Sequence, residues 1–551
     1  MKSRSRREAR ARSRAREGAP PAEAATTAPE APATAPTSTD AADRIERFYV
    51  PAALLILLVA AAIRLPMLAL NPFHHDEGIN GYFTTNLLRD GVYAYDPANY
   101  HGPSLYYFAL ASATIFGLTT EAMRLVPVLA GIATVALVFP LRRLLGSIAT
   151  LSAAALLAVS PAAVYVSRYF IHESLLVCFS LALVVSTLLY IDRRRPAYLL
   201  AIAASAALMF TTKETGIITI VVLVIAALVA RWYVGFRAKD VPSVGTSRRT
   251  ARRSGAVYVD GVEYRPVRRR SLRIRPEEIL GSAVVFLAIY VLLFSSFFTN
   301  FPEGLVDSLA TFAVWTQTGA GTQQQPIQEY LVWMLRADAP ILLLGAAGGL
   351  IAAIRGRSLL WVFVGLWALG ITAAYSLIQY KTPWIVLNML VPLALLGGLV
   401  IATLAQARGR WRILAPLVLA GGVAISGYQA IDLNYRHYDD ETYPYVFVHT
   451  TRQALDLVSR IEATAAEAGT GKDTGVTFVT PDYWPLPWYM RDYPNALFHG
   501  RIVDTTEPMI VANVNQEADL ARYADRYTRA GTFNLRPGVD LLLLIRNDLA
   551  K

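Results

Sequence analysis

An apolar stretch that runs directly into a charged one decides the fold class of this chain. Residues 49–70 read YVPAALLILLVAAAIRLPMLAL, and residues 71–80 continue as NPFHHDEGIN. The first stretch is long enough to cross a bilayer as a helix, which needs about 20 mostly apolar residues. The second places the adjacent acids Asp76 and Glu77 at a membrane surface, where charged groups are costly and often functional. The plainer alternative is a solvated loop with ordinary acidic residues.

Composition indicates a membrane protein. Hydrophobic residues make up 54% of the chain and charged residues 17%, whereas an average soluble chain has roughly 25% charged residues. The net charge of +11 comes from an N-terminal tail, one long loop and short turns between apolar stretches. That distribution is typical of positive-inside topology and argues against nucleic acid as a partner. The single cysteine, Cys178, lies in an apolar stretch and can form no internal disulfide.

The basic turns set the predicted topology. With every such turn in the cytoplasm, the chain is a polytopic α-helical membrane protein of about eleven spans in the cell (plasma) membrane, with its N-terminus cytoplasmic and its C-terminus outside. Residues 79–90 and 102–117 are expected to be surface helices, because a span at 102–117 would turn every later basic turn outward. The predicted spans are 49–70, 122–141, 147–166, 173–191, 197–212, 215–234, 279–298, 339–354, 358–378, 385–404 and 411–430.

Three regions follow from this reading. Residues 1–47 form a basic, then Pro/Ala-rich, cytoplasmic tail that is expected to be disordered, because it has almost no large apolar residues. Residues 48–431 form the transmembrane domain, with a cytoplasmic basic loop at 235–276 and an outer loop at 299–337. Residues 432–551 form a small extracytoplasmic α/β domain.

The α/β domain is predicted from two kinds of local pattern. Buried strands are expected at 476–480, 509–512 and 539–545, and helices at 447–468 and 516–530; a parallel sheet would accommodate them. The stretch from Pro481 to Tyr493 follows a strand, where an open sheet presents a ligand-binding loop. Alternatively, Trp484 and Trp488 pack the domain onto the membrane. The sequence has no glycine-rich phosphate motif, which argues against a nucleotide-sugar donor.

The predicted topology collects the polar interhelical motifs on the outer face, together with all seven histidines. Inner loops carry mostly plain arginine, whereas the outer ones mix acids, cations and aromatic residues. Loops that converge in this way are typical of an active site built from connecting segments. The outer motifs are His74-His-Asp-Glu77, Tyr95-Asp96, Tyr100-His-Gly-Pro103, Arg168-Tyr-Phe-Ile-His-Glu173, Lys213-Glu214 and Gln379-Tyr-Lys-Thr-Pro-Trp384.

This ordered set resembles the C-type membrane glycosyltransferase (GT-C) superfamily, in its protein O-mannosyltransferase-like branch. The resemblance is carried by the acidic pair after the first span, the surface helices behind it and the Arg-Tyr…acid motif that begins at Arg168. A combination of four motifs resembles more closely an archaeal and bacterial subfamily labelled as associated with flippase activity. The four are His75-Asp-Glu77, Tyr100-His-Gly-Pro103, Tyr380-Lys-Thr-Pro-Trp384 and Asp482-Tyr-Trp-Pro-Leu-Pro-Trp-Tyr489. The likeness covers roughly residues 45–545.

The resemblance implies a sugar taken from a polyprenyl-phosphate carrier in the membrane lipid and given, with inversion, to a glycan, glycolipid or protein acceptor. Such transfer needs a base for the acceptor hydroxyl, here Asp76 supported by Glu77, and cations for the leaving phosphate. The candidate cations are Arg168, Lys213 and Lys381, each of which has the alternative of a snorkelling interfacial residue. Candidate substrate-binding residues are His75, Tyr100, His101, Glu173, Tyr380 and Trp384. Glu173 is either an additional acid or the partner of Arg168.

Two questions stay open at the level of sequence. No cofactor is firmly predicted, and a divalent cation near the acidic loop is an alternative, although four consecutive residues cannot all coordinate one ion. The rival functions are a flippase or transporter, and a non-catalytic component of a lipid-linked glycan export system. The predicted spans have little mid-membrane charge, which favours an enzyme that works at one surface.

Overall fold

The computed structural model describes residues 38–99, 101–239, 257–259, 262–264, 274–315 and 324–550. The chain divides into two compact units, residues 1–47 and 48–551. Most of the predicted tail lies outside the described residues, although a helix begins at Ser38. Most of the predicted basic loop also lies outside them, apart from a short antiparallel pair of strands, β1 (Val257–Val259) and β2 (Val262–Tyr264).

Helices dominate the described part of the chain up to residue 431. They are α1 (Ser38–Ala62), α2 (His75–Asp90), α3 (Ser104–Phe116), α4 (Thr120–Ala136), α5 (Arg142–Leu145), α6 (Ser147–Val159), α7 (Pro161–Ser167), α8 (Glu173–Arg193), α9 (Pro196–Phe210), α10 (Gly216–Lys239), α11 (Pro276–Phe294), α12 (Glu303–Trp315), α13 (Glu329–Ala337), α14 (Ala339–Arg355), α15 (Leu359–Leu377), α16 (Leu387–Ala405) and α17 (Leu414–Ile431).

The chain is a multi-pass membrane protein. Among the described residues, seven helical segments are long and apolar enough to cross a membrane, or nine if the bent pairs α6–α7 and α13–α14 each form one span. The predicted count of about eleven also included 49–70 and 197–212. Helix α1 stops at Ala62, shortly before Pro66, because proline cannot donate the hydrogen bond that would continue the helix. Helix α9 has only 15 residues.

Helix α16 is the centre of the bundle, and every residue from Leu387 to Ile401 is buried. Neighbouring helices approach it closely through glycine, as is common where helices pack in membranes. A Cβ atom on Gly348 of α14 would lie 2.2 Å from the carbonyl oxygen of Leu396. A Cβ atom on Gly398 would lie 2.3 Å from the carbonyl oxygen of Ala149 in α6.

A buried carboxylate joins the breaks in the two bent helix pairs. Asp338 lies between α13 and α14, and its Oδ1 accepts a hydrogen bond from the Ser160 hydroxyl at the α6–α7 break (2.6 Å). Its Oδ2 accepts from the Ala162 backbone N–H (3.2 Å) and the Tyr445 hydroxyl (2.7 Å). The Ala162 backbone N–H at the α6–α7 break is therefore satisfied within the protein, as the bilayer interior requires.

The C-terminal region contains a five-stranded mixed sheet. Its strands are β3 (Val476–Phe478), β4 (Ala496–Phe498), β5 (Met509–Asn513), β6 (Tyr527–Arg536) and β7 (Val539–Arg546), in the spatial order β4-β3-β5-β7-β6. β3 pairs in parallel with β4 and β5, whereas β7 pairs antiparallel with β5 and β6. Helix α18 (Gln453–Glu467) packs on one face through Leu457 and Ile461.

The three predicted strands correspond to β3, β5 and β7, but the predicted helix at 516–530 is wrong. Leu520, Tyr523 and Tyr527 have the spacing of a helix face, and all three are buried in one cluster against the sheet. Only a short 3₁₀ turn forms at Asp519–Tyr523, and Tyr527 already begins strand β6. The spacing therefore reflects burial of a turn followed by an edge strand.

Candidate active site

Glu77 is completely buried and forms the anchor of the acidic loop. Its carboxylate accepts hydrogen bonds from Arg124 Nε (2.7 Å) and Nη2 (2.6 Å). It also accepts from the backbone N–H groups of Phe170 (2.7 Å) and His74 (2.8 Å). Arg124 in turn donates through Nη1 to the Leu68 carbonyl (2.6 Å). Both Glu77 oxygens are thus occupied in a fork-to-fork pair that ties the loop to neighbouring segments.

Asp76 is half-buried in the first turn of α2. His74 caps this helix, because its Nδ1 accepts the Asp76 backbone N–H (3.1 Å). Within the described ranges, no hydrogen bond or ion pair engages the Asp76 carboxylate, in contrast to the adjacent Glu77. Asp76 therefore presents an unoccupied carboxylate on a fixed backbone.

The loop that follows β3 closes over α2. A Cβ atom on Gly78 would lie 2.5 Å from Cβ of Pro485, and one on Gly81 would lie 2.6 Å from Cε3 of Trp488. The Trp488 ring stacks on Phe73 with a centroid distance of 4.6 Å. Trp488 is therefore buried against the acidic loop, so the short helix α19 (Leu486–Tyr489) joins the sheet domain to the candidate site.

Arg536, the last residue of β6, reaches the same place from the sheet. Its Nη2 donates to Asp482 Oδ1 (2.5 Å), and its Nη1 lies 3.4 Å from His75 Nδ1 and from the Trp484 carbonyl oxygen. Burial lowers the pKa of the His75 imidazole to about 4; Arg536 and His74 act in the same direction, whereas Asp76 and Asp482 oppose it.

The Tyr380–Trp384 segment borders the acidic loop on another side. The Trp384 ring lies 5.7 Å from His74, edge to face. Tyr380 is partly exposed and forms a β-bridge with Gln324, in the segment before α13. Lys381 is buried, and its ammonium donates to the carbonyl oxygens of Ser376 (3.0 Å) and Ile378 (2.5 Å).

The other two predicted phosphate-binding cations make different contacts. Arg168 donates to the carbonyl oxygens of Arg64 (2.9 Å), Pro66 (2.7 Å) and Met67 (3.0 Å), which fixes the turn after α1. Lys213 forms an ion pair with Glu173. Glu173 is therefore the partner of Lys213, so the pairing with Arg168, one of the two alternatives left open by the sequence, is wrong.

A second polar cluster surrounds this ion pair. The Glu214 carboxylate accepts a hydrogen bond from the Nδ1–H of His101 at 3.0 Å, and the His101 ring lies 4.8 Å from His172. Tyr100, a predicted substrate-binding residue, lies outside the described residues.

Asn80 and Tyr106 connect the second cluster to the acidic loop. Asn80 on α2 donates to the Phe170 carbonyl (2.9 Å) and accepts from the Tyr106 hydroxyl (3.1 Å). The Tyr106 ring in turn lies 5.5 Å from His172. The predicted site residues thus form two groups, one around Asp76 and one around Lys213, at the same end of the helix bundle.

Sequence reasoning missed Arg124 and Arg536. Arg124 had a visible signal, because it lies inside the predicted span 122–141 and charges within spans are usually functional or paired. Arg536 had none, since nothing in its local sequence indicates a contact with residue 75.

Two further features bear on ligands. In the part of the chain that the structure describes, no group of three or more His, Cys, Asp or Glu side chains could hold a metal ion. An apolar groove of about 600 Å³ lies between α10 and α15, lined by residues from Ile217 to Val229 and from Leu366 to Ala374. It extends toward the helix ends next to Lys213 and Lys381.

The architecture matches solved membrane glycosyltransferases. ArnT from Cupriavidus metallidurans, bound to undecaprenyl phosphate, superimposes with a TM-score of 0.61 at 15% identity, covering 93% of this chain and 99% of that chain. Its apo state gives the same values. The apo form of the Archaeoglobus fulgidus oligosaccharyltransferase gives a TM-score of 0.52 at 14% identity, covering 92% of this chain and 77% of that chain.

The chain has the GT-C-type glycosyltransferase fold, and the resemblance inferred from its motifs is confirmed at this level. Residues 100–242 match the family described as dolichyl-phosphate-mannose-protein mannosyltransferase. No curated protein sequence matches the chain.

Proposed function

We propose that this protein is a membrane glycosyltransferase that moves a sugar from a polyprenyl-phosphate carrier to an acceptor at the outer membrane surface. The observation that carries the proposal is the contrast between Asp76 and Glu77. One carboxylate is saturated by Arg124 and two backbone groups, and the other is left unoccupied beside it. Asp76, whose carboxylate is unoccupied, suits the role of general base, and Glu77, whose carboxylate is paired, suits the role of its support.

In the proposed reaction, Asp76 accepts the proton of an acceptor hydroxyl as its oxygen attacks the anomeric carbon of the donor sugar. The bond between that carbon and the phosphate oxygen breaks, and the polyprenyl phosphate leaves with the electron pair. Attack from the face opposite the phosphate inverts the anomeric carbon. Glu77 cannot take this proton while its oxygens accept four hydrogen bonds.

Lys381 is the preferred cation for the leaving phosphate. Its present partners are two neutral carbonyl oxygens, which a phosphate would outcompete electrostatically. Lys213 is already neutralised by Glu173, and Arg168 is needed to hold the turn after α1 through the carbonyl oxygens of Arg64, Pro66 and Met67. Undecaprenyl phosphate in a protein of the same fold, ArnT, supports a polyprenyl-phosphate ligand. The apolar groove between α10 and α15 offers a surface for the prenyl chain.

The remaining predicted residues fit supporting roles. His75, Tyr380 and Trp384 border Asp76 and are proposed to contact the sugar or the acceptor. His101 and Glu173 lie in the second cluster, where they are proposed to set the charge of Lys213. The sheet domain and the site are proposed to face outward, because the basic turns lie at the opposite helix ends.

A transporter is the weaker alternative. Broken helices are frequent at transporter ion sites, and α6–α7 is bent by 58°. Asp338, which contacts this break from the other bent helix pair, however, accepts three hydrogen bonds from the protein, so it already has its partners.

The test uses the full-length protein in nanodiscs, a panel of polyprenyl-phosphate sugars and a membrane extract as the acceptor source. Release of polyprenyl phosphate is expected with at least one donor. Asp76→Asn should slow it by on the order of 10²–10⁴-fold, whereas Asp90→Asn, an exposed acid on the same helix, should not. Donor translocation across vesicles without sugar release, unaffected by Asp76→Asn, would instead support a flippase.

A further inference from the structure

Arg536 joins the sheet domain to the residue next to the proposed base. It lies 461 positions from His75 in sequence, yet Nη1 is 3.4 Å from the imidazole Nδ1. The same guanidinium holds Asp482 at 2.5 Å. The Arg536 side chain is 14% exposed and that of Asp482 is 33% exposed, so both border the open part of the site.

The contact with Arg536 determines the protonation state and the tautomer of the His75 imidazole. A guanidinium can only donate hydrogen bonds, and it stays charged at any accessible pH. The imidazole must therefore offer a lone pair at Nδ1, which leaves the proton on Nε2 and the ring neutral. The charged and titratable groups that face His75 are Asp76, His74, Arg536 and Asp482.

A neutral His75 matters for the proposed base. An imidazolium beside Asp76 would form an ion pair with its carboxylate, stabilise the charged acid and weaken it as a proton acceptor. We infer that Arg536 is a positioning residue for sugar transfer, which keeps His75 neutral and so leaves the Asp76 carboxylate available. This inference rests on the proposed function, and it makes the sheet domain part of the active site.

The burial of His75 works in the same direction as Arg536. Burial alone disfavours the charged imidazole, but Asp76 and Asp482 would favour it. Removal of the guanidinium leaves these two carboxylates opposed only by burial and His74. The pKa of His75 should then rise above its value in the wild type, while burial, the largest cause of the low pKa, remains.

The test compares the pH dependence of kcat/KM in the wild type, Arg536→Gln, Arg536→Lys and the double variant Arg536→Gln/His75→Gln. In Arg536→Gln the acid limb of kcat/KM should begin at a higher pH than in the wild type, so that the ratio of activity at pH 5.5 to activity at pH 8 falls. The limb should disappear in the double variant, and Arg536→Lys should shift it back in part. Arg529→Gln, an exposed position on the same strand, is the matched control.

A second measurement does not depend on transfer. The rate at which diethyl pyrocarbonate modifies His75 reports the neutral imidazole and is followed by mass spectrometry. In the wild type this rate, corrected for reagent decay, should be constant from pH 5.5 to 8, and in Arg536→Gln it should fall on acidification. Identical pH profiles for wild type and Arg536→Gln overturn the inference. A shifted modification profile in a protein that transfers no sugar supports the contact and overturns the proposed function.

Discussion

Arg124 and Glu77 form a completely buried ion pair in which two guanidinium nitrogens meet the two carboxylate oxygens at 2.7 Å and 2.6 Å. Arg124 also donates to the backbone of the acidic loop, at Leu68, Asn71 and Pro72. Glu77, although it is adjacent to the proposed base Asp76, therefore serves to fix the acidic loop.

Glu77→Gln should destabilise the protein. Loss of one member of a buried ion pair leaves an uncompensated charge and costs about 3–5 kcal/mol. Thermal unfolding in detergent should show a clearly lower midpoint than for Glu121→Gln, an exposed acid in the first turn of α4. Glu77→Gln/Arg124→Met should recover part of the loss. A stable but inactive Glu77→Gln protein would contradict this structural role.

Lys381→Ala should weaken donor binding and slow transfer together. An ammonium at this position would bind the phosphate in the ground state and stabilise its charge as it leaves. Lys381→Arg should rescue only in part, because a planar guanidinium does not fit the site of a point charge. Binding of a polyprenyl-phosphate sugar is measured directly, with Lys472→Ala on the sheet domain as the control. Unchanged affinity would make Lys381 an interfacial anchor.

Gly78→Ala and Gly81→Ala should loosen the sheet domain. Each added methyl group would fall 2.5–2.6 Å from Pro485 or Trp488, and overpacking of this kind costs about 1–3 kcal/mol. The control is Gly421→Ala in α17, where no atom lies within 4 Å of the new methyl group. Limited proteolysis should cut between the bundle and the sheet domain faster in the two α2 variants. Equal cleavage rates in all three would exclude a tight contact.

Reporter fusions test the proposed orientation. Fusions after Arg143, Arg195, Arg357 and Arg410 should report cytoplasm, because basic turns are retained inside. A fusion after Lys551 should report the outside. A cytoplasmic report from that position would place the sheet domain, and with it Asp76, on the wrong face for the proposed reaction.

Local patterns predicted the helices and three strands well, because the length of a span and the burial of a strand depend on residues that are consecutive in sequence. They failed where one residue or one contact overrides the pattern. The first helix ends at Ala62, before Pro66 and before the predicted end of the span at residue 70, and the spacing of Leu520, Tyr523 and Tyr527 resembles a helix face before β6.

For the site, sequence could identify the acidic pair but could not divide its roles. Asp76 and Glu77 are chemically alike and adjacent, and the difference lies in Arg124, which is 47 positions from Glu77. Arg536 and His75 are 461 positions apart, and the sequence around neither residue indicates that they are in contact.

The position of β6 in the chain also orders the biosynthesis of the protein. Helix α2, which carries His75 and Asp76, emerges from the ribosome long before Arg536. Arg536 reaches the site only after β6 has been synthesised and has folded into its sheet. Membrane insertion and completion of the candidate site are thus separate events in time. A nascent chain whose synthesis stopped before the sheet domain would have the acidic loop but would lack the contacts that α19 and Arg536 make with it.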